Sequence, residues 1–331
     1  MKKIISNRAV INLILAAVAI LLPVISKAND YILNVMILTL LYILLSFGLN
    51  LLLGYTGQIS IGHAAFYSIG AYTTALLSVK LDAPFIVCLI FSIIVTFLFG
   101  ILLGFTSHKL DAIFLAIVTM AFGNIIRLVL MNWREVTGGI NGIRNISGIM
   151  LFGEKMTKFQ FYYLALFFLA VIMVISYNLV NSKTGRAFMA VRDAPIAAES
   201  MGINVNRYKL LIFAISAAFA GVAGSLYAKL VGYISPDAFT ADMSIRFLTI
   251  VIVGGLGSFY GPLAGGIVVG VLPELLRSFE SFSMVAYGLM IVLVLKFAPR
   301  GIMGGIEKVV EYLKAKFKTG TKKDASAGGT K

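Results

Sequence analysis

The 331-residue chain has one cysteine, two histidines and seven prolines, and only 13% of its residues are charged. Cys88 lies inside the apolar string PFIVCLIFSII, which excludes a disulfide framework and a cysteine-based zinc site; it reads as a small apolar filler. His63 and His108 lack the HExxH spacing of a metalloprotease, so no metal is expected. There is no GxxxxGK[ST] phosphate-binding loop, so this chain does not itself hydrolyse ATP. No nucleophile with an adjacent base and no pair of carboxylates forms a catalytic grouping. A non-catalytic protein without a cofactor is the expectation.

Apolar residues make up 60% of the chain, in recurring runs of roughly 17 to 25 residues, each long enough to cross ~30 Å of hydrocarbon. Segments such as ILNVMILTLLYILLSFGLNLLL have no charged face, unlike the amphipathic helices of a soluble core. The fold class read from this is all-α, a polytopic transmembrane bundle of about ten spans with interrupted helices. The spans fall near 9–27, 32–53, 61–79, 84–106, 110–131, 160–181, 210–231, 244–258, 261–277 and 283–298. The N-terminal segment carries a Ser26-Lys27-Ala28 triplet similar to a signal-peptidase site. Its apolar run is long for a signal peptide, and it reads as a first, retained span.

The net charge of +14 would suggest nucleic acid in a soluble chain, but here the position of the cations relative to the bilayer is what matters, and no nucleic-acid partner is expected. With both termini cytoplasmic, about two thirds of the lysines and arginines fall on the inner side, as the positive-inside rule requires. The permease domain is read as 1–306, with a cytoplasmic loop at 181–209 and an external loop at 132–159. Residues 307–331 form a basic cytoplasmic tail that can lie on anionic lipid and ends in a disordered stretch. The external loop, rich in turn-forming glycine, is either a plain surface loop or one that docks an external partner or caps the translocation path.

Two stretches interrupt the apolar periodicity. In GYTGQISIGHAAFYSIGAY, Gly54, Gly57 and Gly62 break a span, and Gln58, Ser60 and His63 would be costly to leave unpaired in hydrocarbon. In VGGLGSFYGPLAGG, Gly254, Gly255 and Gly257 relax the backbone and Pro262 removes a donor. Paired breaks in the early and late halves point to a translocation path built from broken helices; tight packing around turns is the plainer alternative. His63 taken alone fits a satisfied core histidine better than a ligand.

Small residues at four-residue spacing, as in Gly100 and Gly104, Ala217 and Gly221, or Gly266 and Gly270, predict close helix approach. They could serve this bundle or a partner permease packed on the later spans. In the loop 181–209, Asp193 is expected to cap a helix over 194–201, with Pro195 in its first turn and Gly202 stopping it. Such a helix, about 12 Å long, would place Ile196, Ser200 and Met201 on one side with Glu199 close by. A rigid helix there can transmit motion from a partner where a floppy loop cannot.

Three motifs now stand in order along most of the chain: GYTGQISIGHAAFYSIGAYTTALL, TGRAFMAVRDAPIAAESMGINVNRYKLLIFAISAAFAGVAGSLYA, and RFLTIVIVGGLGSFYGPLAGGIVVG followed by KFAPRGIMGG. Together they resemble the LivM-type permease subunits of branched-chain amino acid ABC transporters. The resemblance implies an importer of the bacterial inner membrane. It would pair this chain with a second homologous permease, two cytoplasmic ATPase subunits and an external substrate-binding protein that delivers leucine, isoleucine, valine or related hydrophobic amino acids. It also implies that Gly185 to Gly202 face the ATPases, with Gly185, Arg186, Arg192, Asp193, Pro195, Ile196, Glu199, Met201 and Gly202 as candidates. Glu199 and Gly202 match the Glu and Gly of the looser permease-loop signature, although this sequence reads AAESMG where many importer permeases carry EAA and a glycine four positions on. Close relatives carry urea or short amides, so the motifs alone do not fix the cargo. An ion-coupled secondary transporter is the alternative class. It would want ionisable groups in the membrane, and Arg127, Asp111, Glu274 and Arg277 lie at or near span ends.

Overall fold

The computed structural model describes residues 17–24, 29–107, 110–151 and 153–275, with shorter pieces at 288–289, 292, 296 and 301–305. Most of the first and tenth predicted spans, His108, Arg277 and the tail 307–331 lie outside the described residues.

The first long helix, α1 (Asp30–Thr56), is capped by Asn29, whose side chain accepts from Ile32 N at 2.9 Å, and Asp30 sits favourably at the positive end of the helix dipole. It stops at Gly57, whose φ of 71° lets its N–H turn back to the Leu52 and Leu53 carbonyls. Next come α2 (His63–Lys80), α3 (Phe85–Ser107) and α4 (Ala112–Asn132). A connection then folds through α5 (Arg134–Thr137) and a two-residue hairpin of β1 (Met150–Leu151) and β2 (Glu154–Lys155). Thr157 and Gln160 form a reciprocal capping box that starts α6 (Lys158–Asn181). Two short helices, α7 (Lys183–Asp193) and α8 (Pro195–Ser200), lead into α9 (Val205–Val231). Finally α10 (Ala241–Gly254) and α11 (Gly261–Leu275) flank the second break.

Among the described residues, five helices, α1, α3, α4, α6 and α9, are long and apolar enough to cross a membrane. The chain is a multi-pass, all-α membrane protein; the predicted spans among the described residues fall mostly on helices, while 61–62 and 255–258 lie in the breaks. The predicted breaks appear as the end of α1 and the gap before α2, and as the gap between α10 and α11.

α9 and α1 form the centre, and α4 and α6 are the least covered spans. Glycine permits the central packing. A Cβ on Gly100 would stand 2.7 Å from Ala217 Cβ, one on Gly70 would stand 2.7 Å from the Gly221 backbone, and one on Gly270 would stand 2.7 Å from Thr39 Oγ1. The small-residue pairs read from the sequence are therefore used inside this chain: α3 against α9, α2 against α9, and α11 against α1.

At the end of the bundle away from α7 and α8, the connection after α4 is fastened to α9. Ile143 and Ile234 exchange backbone bonds at 2.9 and 3.0 Å, and Ile146 N donates to Gly232 O at 3.0 Å. Lys229, only 5% exposed, donates from Nζ to Ser78 Oγ at 2.7 Å and to Ser147 O at 3.1 Å. A buried ammonium needs such oxygens, and three segments are tied together by one side chain.

Candidate functional site

The two breaks, about 200 residues apart in sequence, meet at one point of the bundle. Asn50, nearly two turns before the end of α1, donates from Nδ2 to Ser258 O at 2.9 Å and accepts from Gly257 N at 3.1 Å. Between these bonds the backbones of Gly54 and Gly257 lie so close that a Cβ on Gly54 would run into Gly257 and stand 2.6 Å from Asn50 Oδ1. Glycine is required at Gly54 by this approach, not by its φ.

From Gly57 the chain runs without regular structure alongside α9 before α2 begins. Gln58 Nε2 donates to Thr56 Oγ1 at 3.2 Å and to Lys209 O at 3.4 Å. Farther along, His63 lies beside Ser216, so the segment advances along α9 from the level of Lys209 to that of Ser216, seven residues or about 10 Å. The N-terminus of α2 therefore lies inside the bundle, where its backbone donors need partners. Ile61 N finds Thr119 Oγ1 at 3.0 Å and Ala64 N finds Ser244 Oγ at 2.9 Å. Both ring nitrogens of His63 are engaged, Nδ1 with Ser60 Oγ at 2.9 Å and Nε2 with Ser216 Oγ at 2.7 Å. An imidazole with one N–H donates to one serine and accepts from the other, so it is fully satisfied by protein.

Beside this N-terminus, Ile61, Ala64, Met120, Asn124, Phe239 and Ser244 line a shallow hollow with room for little more than a water molecule. It is closed to an amino acid in this conformation.

The second break has its own close contacts. A Cβ on Gly254 would strike the Gly261 carbonyl, and Gly255 turns the chain at a φ of 117°. Gly301, with a φ of 70°, packs directly on Gly255, so the chain returns to the break from beyond the last predicted span. Pro262 occupies the first turn of α11, where its missing N–H breaks no helical bond.

The loop 181–209 reaches the same place. Ser182 caps α7 by accepting from Gly185 N at 3.3 Å, a helix not anticipated from the sequence. Asp193 does not cap the helix that follows. It ends α7, and its carboxylate accepts from Arg192 Nε at 2.8 Å, which holds that carboxyl below its ordinary pKa. α8 is therefore shorter than expected, spanning Pro195–Ser200, with Pro195 in its first turn and Gly202 at a φ of 83° ending the turn as anticipated. Val191, Ala198 and Val205 form a small apolar cluster of their own, which makes α7, α8 and the start of α9 one unit. Arg186 and Glu199 lie on its exposed surface. Arg192 Nη1 donates to Gly54 O at 2.6 Å, linking this unit to the breaks.

Several of these residues were not singled out from the sequence. Asn50 carried a signal, as the one amide in the run LSFGLNLLLG. Ser216, Thr119 and Ser244 carried none, because a serine or threonine inside a span is ordinary.

A family model described as branched-chain amino acid transport system / permease component matches residues 31–295. The chain belongs to this family of permease components. The permease is 38% identical over 290 residues to the high-affinity branched-chain amino acid transport system permease protein LivM of Escherichia coli K12, covering 80% of this chain and 68% of the relative. Against LivM of Salmonella typhimurium LT2 it is 37% identical with the same coverage. It is also 28% identical over 291 residues to the permease protein LivH of the same Salmonella strain, covering 81% of this chain and 93% of the relative. No solved structure matches the permease. The family matches the resemblance carried by the three sequence motifs. The permease is thus a transport subunit, and the two breaks, joined by Asn50 and Arg192, are its most constrained feature.

Proposed function

We propose that this permease moves branched-chain or other hydrophobic amino acids as one half of the membrane channel of an ATP-binding cassette importer. A second, homologous permease would complete the path, as the paired names LivM and LivH among the relatives suggest. Two cytoplasmic ATPase subunits would supply the energy, and an external binding protein would deliver the cargo. The charge asymmetry supports placement in the bacterial cytoplasmic membrane with both termini inside. The translocation path would follow Gly54, Gly57, Gln58, Ser60, Gly62 and His63 on one side and Gly254, Gly255, Gly257 and Pro262 on the other.

The observation that carries this reading is the surface of α8. Ile196 on α8 is 82% exposed and Met201, just past its end, is 83% exposed, while Ala198 is buried against Val191 and Val205. A short helix that buries an alanine and offers its large apolar side chains to water is built to be covered by a partner. Arg192, in the last turn of α7 next to that helix, bonds to Gly54 O at the first break, and Gly257 of the second break lies close by. Closure of the ATPases on ATP would shift the permease pair from one arrangement to another, with α7 and α8 carrying the movement.

The test is the double substitution Ile196→Asp with Met201→Asp in the full-length chain within the assembled complex. The chain is expected to insert normally, while the ATPase subunits no longer co-purify and leucine uptake falls at least about tenfold. Co-purification at wild-type yield would remove α8 as the docking element.

A further inference from the structure

The last turn of α1 contains no basic residue of its own, although its carbonyls carry the negative end of the helix dipole. The missing cation comes from 138 residues away, where Arg192 Nη1 donates to the Gly54 carbonyl at 2.6 Å. This is a charge-assisted bond to a carbonyl that has no partner within its own helix.

The surroundings of Arg192 fix it in that role. Asp193 takes its Nε at 2.8 Å and so orients the guanidinium fork. Its aliphatic part passes Gly57, where any Cβ would stand only 3.1 Å from Arg192 Cγ. A Cβ on Gly257, across the second break, would stand 3.5 Å from Arg192 Nη1 and 3.0 Å from Gly54 O. One guanidinium therefore lies where the end of α1, the first break and the second break converge. Its own backbone belongs to the last turn of α7, joined to α8 through the apolar cluster of Val191, Ala198 and Val205.

We propose that Arg192 is the positioning residue that transmits displacement of α7 and α8 to the two helix breaks, by pulling on the end of α1 through Gly54. It makes no contact with the cargo; its Nη1 bonds to Gly54 while the side chain stays 37% exposed. The inference rests on the reading that ATPases dock at α8. Its test is arranged so that failure of the two can be told apart.

The test uses the complete transporter in proteoliposomes, with labelled leucine as cargo, and measures leucine taken up per ATP hydrolysed. Arg192→Met keeps the length of the side chain and removes its charge and donors. The complex is expected to assemble with its ATPases and to hydrolyse ATP, while uptake per ATP falls about tenfold, as loss of one charged hydrogen bond in the moving state would give. Arg192→Lys, which keeps the charge and one donor for Gly54 O, is expected to recover to within about threefold of wild type. A purely structural cap would lower yield and melting temperature and leave uptake per ATP unchanged in whatever complex forms. Unchanged uptake per ATP in Arg192→Met overturns the proposal. If that variant does not assemble, Asp193→Ala decides, because it removes only the exposed carboxylate that orients Arg192. A drop of about two- to threefold in uptake per ATP supports transmission, and no change overturns it. ATPases that fail to co-purify with the wild-type chain would instead count against docking at α8.

Discussion

Asn50 holds Gly257 across the two breaks of the bundle: its Oδ1 accepts from Gly257 N at 3.1 Å while its Nδ2 donates to Ser258 O at 2.9 Å. A single side-chain amide thus satisfies the Gly257 donor in the gap between α10 and α11 and adds a second donor to Ser258 O, which also accepts from Gly261 N at 3.2 Å. Asn50→Leu removes both bonds in a part-buried site and strands the Gly257 N–H, at a cost of about 1–3 kcal/mol, while Ser258 O keeps its bond from Gly261 N. The expected result is a clear fall in melting temperature in detergent together with loss of uptake. Asn50→Ser, with one shorter donor and acceptor, is expected to lie between the two. A wild-type melting curve for Asn50→Leu would show that the bridge is dispensable.

Gly57 and Gly255 have φ values of 71° and 117°, where L side chains rarely go, and Gly255 also lies under Gly301. Gly57→Leu and Gly255→Leu are expected to abolish leucine uptake, since each combines backbone strain of roughly 1–3 kcal/mol with overpacking. Gly305→Ala is the control, because a Cβ there meets nothing within 4 Å. Normal uptake by both leucine variants would return these glycines to ordinary turn-forming roles.

His63 is held by Ser60 and Ser216 on its two ring nitrogens, so it has no valence left for cargo. His63→Ala is expected to lower thermal stability by about 1–3 kcal/mol through two stranded hydroxyls. The relative uptake of leucine, isoleucine and valine is expected to stay as in wild type. A changed preference among those three would show that the imidazole touches the transported amino acid.

Lys229 joins α2, α9 and the segment around Ser147. Lys229→Met is expected to free the connection between α4 and α6, because a hydrogen-bonded charge worth about 1.5–3 kcal/mol is lost from a local opening equilibrium. Limited trypsin cleavage at Arg144 is the measurement, with cleavage expected to rise by roughly tenfold or more. Equal cleavage in both proteins would mean that the bonds between Ile143 and Ile234 suffice.

Much of the bundle was legible in the sequence because a membrane span leaves little freedom: length and the absence of charge fix it. The breaks were legible for the same reason, since Gly57, Gln58 and His63 could not lie against lipid. That the breaks meet was not legible. The pairing of Gly54 with Gly257 depends on how α1 packs against α10 and α11, and no local spacing records it. The role of Asp193 was misread because an aspartate one residue before Ala194-Pro195 has the form of a helix cap. In the structure the neighbouring guanidinium, itself anchored on Gly54, takes the carboxylate instead. Ser182 was missed as a cap although Ala187, Phe188 and Val191 make an apolar face over 183–193; so short a run of apolar residues among Lys183, Arg186 and Arg192 has the form of a loop, and the helix was placed only after Asp193.

The central claim is that ATP bound elsewhere in a complex drives this permease. It is tested most directly by leucine accumulation in proteoliposomes containing the full transporter, with binding protein outside and ATP inside. The account predicts accumulation against a gradient that requires ATP and the ATPase subunits and is indifferent to proton and sodium ionophores. Accumulation by the permease chains alone, without ATPases and abolished by an ionophore, would contradict it and make this chain an ion-coupled carrier.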